Sequence, residues 1–278
     1  MGHVYQFRLG EFEGYCLSDG SLNYRPEMLF ANVPREELQG LMRMSNLPTE
    51  YVTTPYTCLL LRRGDQLVLI DTGAGSLLAE TAGKLSESLT EAGFTPRDIG
   101  TVILTHAHPD HVGGNLDSQG QLVHPNAVFF IFRDEWDFWT SDAAASAPER
   151  FVQVARRNLE PIRDRVTLID DDQDIVPGIR AVAAVGHTPG HMALSITSGH
   201  EQLLHVSDTV LYPWHLGHPD WVPVFDLMPD AAAQTKRRVF DRAAAEKSMV
   251  FAHHFPPFPA IGHVERQGSR WEWLPIGA

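Results

Sequence analysis

The chain has 278 residues, of which 43% are apolar and 21% charged, which is typical of a globular protein. Its formal net charge of −13, with no dense lysine and arginine cluster, excludes nucleic acid as a main partner, because phosphate backbones attract basic patches. No apolar run approaches the roughly 18 residues of a membrane span, and the first residues lack a secretory signal, so we expect a cytoplasmic protein without membrane contact. Cys16 and Cys58 are the two cysteines, lie far apart and form no CxxC pair, which argues against a disulfide framework and a thiolate zinc cluster.

The first part of the chain is predicted to form an N-terminal extension over residues 1–50. It contains a short strand pair near residues 6–7 and 14–15 and a helical stretch at 34–44. A catalytic core is expected over residues 51–265, beginning with two strands joined by a hairpin turn. Because no linker-like stretch interrupts the chain, we expect a single domain over residues 1–278.

Strands and helices then alternate through the core. The apolar patterns predict strands at 56–62, 66–70, 101–104, 126–132, 166–169, 179–185, 192–197, 202–206 and 249–252, and helices at 77–92, 133–140, 148–159 and 231–245. Because some neighbouring strands are joined by hairpins and others by helices, the sheets should be mixed. The fold class is therefore predicted to be α/β, with outer helices covering the sheet faces.

The most informative stretch is residues 105–114, which read THAHPDHVGG directly after a predicted buried strand. It places His106, His108, Asp110 and His111 within six residues. Imidazole and carboxylate groups are the ligands that zinc and other first-row divalent ions prefer. Since a glycine-bounded loop at a strand end can turn several side chains toward one point, the spacing predicts a metal site.

Further potential ligands also follow predicted strands. His187 and His191 lie in the sequence GHTPGH, Asp208 follows the strand at 202–206, and His253 and His254 follow the strand at 249–252. The repeated order of a strand and then a ligand is what a site at the edge of a sheet requires.

This order of motifs resembles the metallo-β-lactamase fold superfamily over about residues 56–265. Within it, the sequences FRDEWDFW at 132–139 and HFPPFPAIGH at 254–263 are most similar to the quorum-quenching lactonases and methyl-parathion-hydrolase-like, phosphotriesterase-like metallohydrolases. The resemblance implies an αββα sandwich with a dinuclear metal site at one edge. It also implies the ligands, which are His106, His108 and His187 for the first metal, Asp110, His111 and a late histidine for the second, and Asp208 bridging both.

Two positions in the implied site stay open. The late ligand is either His253 or His254, since adjacent side chains point opposite ways in a strand, and the family pattern of histidine before Phe-Pro favours His254. Quorum-quenching lactonases also resemble each other in a tyrosine after the bridging aspartate that contacts the substrate carbonyl. Here Leu211 occupies that place and Tyr212 follows it, so a catalytic role for Tyr212 is a hypothesis.

The resemblance implies a hydrolase with two divalent ions, for which we expect zinc, with iron, cobalt or manganese as alternatives. A hydroxide bridging the metals would attack a lactone or carboxylic ester, as in N-acyl-homoserine lactonases, and Asp110 would pass a proton to the leaving group. The alternative is an organophosphate or aryl-ester hydrolase. A β-lactamase is disfavoured because that subfamily usually carries cysteine where this chain has Asp208, and a metal-dependent dioxygenase because its mononuclear relatives use fewer ligands. The expected partner is a small-molecule substrate, and a homodimer is common in the resembling group.

Overall fold

The computed structural model describes residues 3–276, which form fourteen strands in two mixed sheets. In the first sheet the strands lie in chain order, β1 to β7: Val4–Leu9, Phe12–Tyr24, Val52–Arg63, Gln66–Ile70, Thr101–Ile103, Val128–Phe132 and Val166–Ile169. In the second sheet the order runs from β14 back to β8, and strands β8 to β14 are Asp174–Val176, Ile179–Ala183, Met192–Ser198, Glu201–His205, Met249–Phe251, Ile261–Gln267 and Arg270–Pro275.

Within residues 3–276, eight α-helices connect these strands. Helices α1 to α8 are Pro26–Leu29, Arg35–Met44, Leu85–Glu91, Pro109–Val112, Arg133–Thr140, Glu149–Leu159, Trp214–Gly217 and Pro229–Glu246. Short 3-10 turns fill several of the remaining connections. Among the described residues, no helix is both long enough and apolar enough to cross a membrane.

Three apolar clusters hold the sheets and helices together. Leu59 and Ile103 of the first sheet pack in one cluster with Leu194 of the second, so the two sheets lie face to face. Trp139 and Leu159 of α5 and α6 pack against the outer face of the first sheet. Helix α8 covers the outer face of the second sheet in a separate cluster. The layers are therefore α, β, β and α, which confirms the predicted mixed α/β sandwich.

Parallel pairing brings several strand ends to one edge of the sandwich. In the first sheet β4 to β7 run parallel, and in the second β11 runs parallel to β12. The carboxyl ends of parallel strands meet at the same edge of a sheet, and the histidine-rich and aspartate-containing loops follow these ends. The fold thus gathers the chemically active segments, which are spread along the sequence from His106 to His254.

Strand β8 and the short helices α1, α4 and α7 were not predicted, and the structure differs from the predicted elements in two further places. Helix α3 begins at Leu85 rather than at residue 77, because Gly83 has a φ of +76° and its Cα lies against the Gly75 carbonyl, where a Cβ would be 1.9 Å from the oxygen. The C-terminal hairpin of β13 and β14 was not predicted, since its alternating charged residues carry little apolar pattern. It extends the second sheet to seven strands.

Candidate metal centre

The HxHxDH stretch forms a tight corner between β5 and α4. Helix α4 begins at Pro109, so His106 and His108 precede it and Asp110 and His111 lie in its first turn. The corner closes against the chain that follows β4: a Cβ on Gly114 would lie 2.0 Å from the Thr72 carbonyl oxygen. Glycine is therefore required where this motif ends, because no larger residue fits between the two backbones.

Three histidines form a first group of potential ligands. One ring nitrogen each of His106, His108 and His187 lies within 4.8 Å of the others. Nδ1 of His108 is 2.8 Å from Nε2 of His187. Burial lowers the pKa of His106 and of His108 well below the usual range, so both rings are neutral, which is the form that binds a metal ion.

A second group lies beside the first and contains a carboxylate. Asp110, His111, His253 and His254 each offer one atom within 4.8 Å of the others. Nε2 of His254 is 3.4 Å from Oδ2 of Asp110, and Nε2 of His111 is 3.9 Å from the same oxygen. The mixture of imidazole and carboxylate atoms suits a first-row divalent ion.

The Asp208 carboxylate lies between the two groups. Its Oδ2 is 3.3 Å from His187 Nε2 and 3.2 Å from His254 Nε2, while its Oδ1 is 3.3 Å from His111 Nε2. The Asp208 backbone N–H donates to His191 Nε2 at 3.1 Å, and the His191 ring is fixed by the Ala184 carbonyl. His191 therefore positions Asp208 rather than joining either group.

The two adjacent late histidines have different surroundings. His254 directs Nε2 toward Asp110 and Asp208, and its Nδ1 lies 3.1 Å from the Pro55 carbonyl oxygen. His253 instead packs its ring against that of His111, with centroids 4.2 Å apart, and both of its nitrogens lack a hydrogen-bond partner among the described residues. A ring with one nitrogen on a backbone carbonyl and the other free to bind is the usual arrangement of a metal-ligating histidine.

A carboxylate orients one histidine in each group. Asp226 Oδ1 is 2.9 Å from His187 Nδ1, and Asp226 also lies beside the buried ammonium of Lys236 at 3.5 Å. Asp71 Oδ2 is 2.8 Å from His111 Nδ1. Burial alone would lower the pKa of His187, but its hydrogen bonds with Asp208 and Asp226 raise it to about 9. Sequence reasoning identified neither Asp226 nor Lys236, because the segment that carries Asp226 has no motif.

Glu135 joins the two histidine motifs. This residue is 0% exposed, and its carboxylate accepts hydrogen bonds from Ala107 N, between the first two histidines, and from Gly190 N, in the GHTPGH stretch. Two further bonds come from Trp139 Nε1 and Thr188 Oγ1. Glu135 lies in the sequence FRDEWDFW, but the mixture of acidic and aromatic residues there does not indicate which carboxylate is buried and accepts hydrogen bonds.

A cavity of about 360 Å³ opens onto both groups. The ligand-type residues His108, Asp110, His187, Asp208 and His254 line its floor. Most of its wall is apolar, and the N-terminal extension supplies a large share of that wall. The wall residues are Leu22, Tyr24, Met28, Leu29, Thr54, Leu78, Pro109, Arg150, Phe151, Leu211 and Phe225.

Tyr212 lies outside this cavity. Its ring packs edge-on against Phe30 at 6.0 Å and against Trp214 at 5.3 Å, while the preceding Leu211 lines the cavity. The structure therefore does not bring Tyr212 to the predicted site, because its ring packs in the aromatic cluster around Phe30 and Leu211 takes the place in the cavity wall.

The unpaired atoms of the cluster fit divalent cations. Within residues 3–276, His106 Nε2, His111 Nε2 and Asp208 Oδ1 are buried without a hydrogen-bond partner. Buried polar atoms without partners are costly, and those that converge on one point are the donor set that a metal ion would satisfy.

The comparisons with known proteins agree with this fold. Residues 52–267 match the family model of the metallo-beta-lactamase superfamily, and this chain belongs to that superfamily. An N-acyl homoserine lactonase from a Bacillus species is 25% identical over 226 residues, covering 74% of this chain and 84% of the relative.

Two solved structures are similar over nearly their full length. The dizinc quorum-quenching lactonase AidC, in complex with the product N-hexanoyl-L-homoserine, has a TM-score of 0.93 and 30% identity, covering 99% of this chain and 98% of that one. The hydrolase AbOPH has a TM-score of 0.92 and 27% identity, covering 100% and 99%. This chain is therefore a lactonase-related member of the superfamily.

Proposed function

We propose that this chain is a dinuclear metal-dependent hydrolase of lactones or related carboxylic esters. The observation that carries the proposal is the position of the Asp208 carboxylate, within 3.3 Å of nitrogen atoms from both groups of ligand-type side chains. Similarity to a dizinc lactonase and to N-acyl homoserine lactonases supports it.

The proposed ligand set follows the geometry of the two groups. His254 is assigned rather than His253, because its Nε2 faces Asp110 and Asp208 and its Nδ1 faces a backbone carbonyl. Two bound divalent ions would supply Lewis acidity that lowers the pKa of a water molecule and polarises the oxygen of the scissile group. The proposed ligands are His106, His108 and His187 in the first group, Asp110, His111 and His254 in the second, and Asp208 in both.

The protein residues would position the substrate and move the proton. Asp110 lines the cavity and its side chain is 13% exposed, so it is the ligand-type carboxylate best placed to pass a proton to the leaving oxygen. Met28, Leu29 and Leu211 offer an apolar surface to an acyl chain and exclude water from the reacting centre.

A second candidate is hydrolysis of aryl esters or organophosphates at the same site. It is favoured by Phe151 and Phe225, which both line the cavity with ring centroids 6.5 Å apart. These rings could stack on an aryl leaving group. Both candidates use the same ligand set, so only substrate specificity separates them.

The proposal is tested first by metal content and substrate range. Purified protein should contain about two divalent ions per chain, and hydrolysis should be strongest among acyl-homoserine lactones, γ-lactones and aryl esters in a panel that includes paraoxon and nitrocefin. A protein that binds no metal, and gains no activity when metal is added, would contradict the proposal. Preference for paraoxon would favour the second candidate.

Replacing Asp208 tests the shared carboxylate. Asp208→Ala should lower metal content below one ion per chain and reduce kcat/KM at least about a thousandfold, because both groups lose a ligand. Asp220→Ala is the control, since the Asp220 carboxylate is 76% exposed and pairs with Arg237 at the surface. If Asp208→Ala keeps both metals and full activity, Asp208 is not a ligand.

A further inference from the structure

Two tyrosine hydroxyl groups meet at the wall of the cavity. Tyr24 ends strand β2 and Tyr56 lies in the neighbouring strand β3, and their hydroxyl oxygens form a short hydrogen bond. Tyr56 is 0% exposed, whereas Tyr24 is half-buried and lines the cavity. The outer of the two phenols therefore reaches the space in which a substrate would bind.

The inner phenol is fixed beside the proposed metal ligands. The Tyr56 ring packs edge-on against His254, with centroids 5.1 Å apart. Within the described part of the chain, the Tyr56 hydroxyl forms a hydrogen bond only with Tyr24. If Tyr56 donates to the Tyr24 oxygen, the Tyr24 hydroxyl can donate its own proton to an acceptor in the cavity. The Tyr56–Tyr24 hydrogen bond then strengthens the one that Tyr24 donates, by polarising the Tyr24 hydroxyl. Burial raises the pKa of both phenols, so both hydroxyls keep their protons near neutral pH.

Thr54 provides an independent sign that this wall receives a polar group. Thr54 lies two residues before Tyr56 on β3, so both side chains point to the same face, and it pairs with Leu22 of β2. Its hydroxyl oxygen is buried, lines the cavity and has no hydrogen-bond partner among residues 3–276. A buried unpaired hydroxyl is costly unless a ligand completes its hydrogen bonds.

The segment that follows Asp208 contributes no phenol to the cavity. Leu211, which follows Asp208, presents an aliphatic side chain to the cavity, and Tyr212 packs away from it against Phe30. Apart from the proposed ligands, the side chains that could donate a hydrogen bond in this cavity are Tyr24, Thr54 and Arg150. Arg150 is exposed, so its charge is well solvated.

We propose that the Tyr24 hydroxyl, held in place by Tyr56, donates a hydrogen bond to a carbonyl oxygen of the bound substrate. In this arrangement Tyr24 is a substrate-binding residue and Tyr56 is a positioning residue. The inference rests on the proposed function, since it takes a lactone or carboxylic ester as the ligand. The N-terminal extension would thereby supply a hydrogen-bond donor to the substrate, whereas the segment after Asp208 supplies the aliphatic Leu211.

The test compares Tyr24→Phe, Tyr56→Phe and the double variant with the wild-type metal-loaded enzyme. Tyr24→Phe should lower kcat/KM for N-hexanoyl-homoserine lactone about tenfold to a hundredfold with two metal ions still bound. Its Tm should fall by about 2–10 °C, because the buried Tyr56 hydroxyl loses its partner. Tyr56→Phe should have a smaller effect, and the double variant should match Tyr24→Phe alone, because Tyr56 acts through Tyr24. A purely structural role for Tyr56 would instead give additive losses.

Tyr15→Phe is the matched control. Tyr15 lies on the same strand β2 and is buried, but its hydroxyl contacts Glu13 and Gln6 rather than the cavity. It should leave kcat/KM unchanged. Activity of Tyr24→Phe within twofold of the wild type, or loss of its metal ions, would overturn the proposal.

A second measurement separates this inference from the proposed function. If the wild type binds metal but hydrolyses none of the panel, the proposed function fails, and calorimetric binding of N-hexanoyl-L-homoserine to the metal-loaded protein then tests Tyr24. The dissociation constant should rise about tenfold in Tyr24→Phe, the loss expected for one hydrogen bond. Equal dissociation constants, or no binding to the wild type, would overturn the Tyr24 proposal.

Discussion

At the scale of single residues, the hydrogen bonds around the histidines matter as much as the histidines themselves. A metal-ligating histidine commonly donates a hydrogen bond from its second ring N–H to a carboxylate or a carbonyl, which fixes the ring and its tautomer. His111 uses Asp71, His187 uses Asp226 and His254 uses the Pro55 carbonyl. Each proposed ligand in these three pairs is therefore held from the side opposite to the cavity.

Asp226→Asn tests this outer support. The amide keeps the shape of the carboxylate but loses its charge, so it binds His187 Nδ1 more weakly and leaves Lys236 without its anionic partner. We expect metal affinity to fall about tenfold to a hundredfold, measured by competition with a chelating dye. Asp220→Asn, at an exposed position, should show no change. Unchanged affinity in Asp226→Asn would show that Asp226 does not support the site.

At the scale of elements, helix α5 connects the loops that carry the first ligand group. Glu135 accepts two backbone N–H bonds, from Ala107 and Gly190, and two side-chain bonds, so one carboxylate links the loop after β5, helix α5 and the loop before β10. Gly190 permits this approach, since a Cβ there would lie 2.1 Å from the Glu135 nitrogen. The relative position of His106 and His187 thus depends on a residue that binds no metal.

Glu135→Gln should destabilise the protein strongly. Each carboxylate oxygen of Glu135 accepts two hydrogen bonds. In glutamine an NH₂ group replaces one of these oxygens, and it would face two donors that it cannot accept from. We expect a loss of about 2–3 kcal/mol in the free energy of unfolding, the cost of unpaired buried donors. The measurement is urea denaturation of the metal-free protein, because bound metal adds its own stabilisation.

Asp137→Asn is the control for that change, since Asp137 lies in the same helix and is exposed. The urea concentration at which half of the Asp137→Asn protein is unfolded should remain close to that of the wild type. A Glu135→Gln protein that unfolds at the wild-type urea concentration would contradict the assigned role of Glu135.

At the scale of the whole molecule, the N-terminal extension is part of the site. Helix α1 and the segment after it pack on the chain that follows Asp208, and Phe30 is the centre of this contact, 0% exposed among Tyr212, Trp214 and Trp221. Its neighbour Leu29 lines the cavity. The extension is therefore fixed to the core by an aromatic cluster and shapes the space above the proposed metals.

Phe30→Ala should show this dependence. Removing a fully buried ring should lower the free energy of unfolding by about 3–5 kcal/mol, measured by chemical denaturation, because the aromatic cluster cannot close the resulting cavity. It should also raise KM for acyl substrates, since Leu29 loses its support. Tyr51→Ala, at a residue 39% exposed, is the comparison and should cost little. Equal stability of the two variants would contradict the packing argument.

Sequence patterns predicted most elements because apolar periodicity is a local property. Helix Arg133–Thr140 and strands Gln66–Ile70 and Val166–Ile169 have the predicted bounds. Helix α3 was predicted too long, because apolar periodicity does not reveal the close backbone contact between Gly83 and Gly75. The β13 and β14 hairpin was not predicted, because its stability comes from joining an existing sheet edge.

The sequence by itself determined which residues can act as ligands, since His106, His108, Asp110 and His111 lie too close together to be independent of one another. Only the tertiary structure decided how distant residues join them. The Pro55 carbonyl of β3 orients His254, Leu211 takes a place in the cavity wall, and folding brings Asp226, Glu135 and Tyr24 to the site from separate segments. The physical reason is that a ligand motif is a local spacing, whereas the groups that orient ligands and contact substrate are placed by packing between elements far apart in the chain.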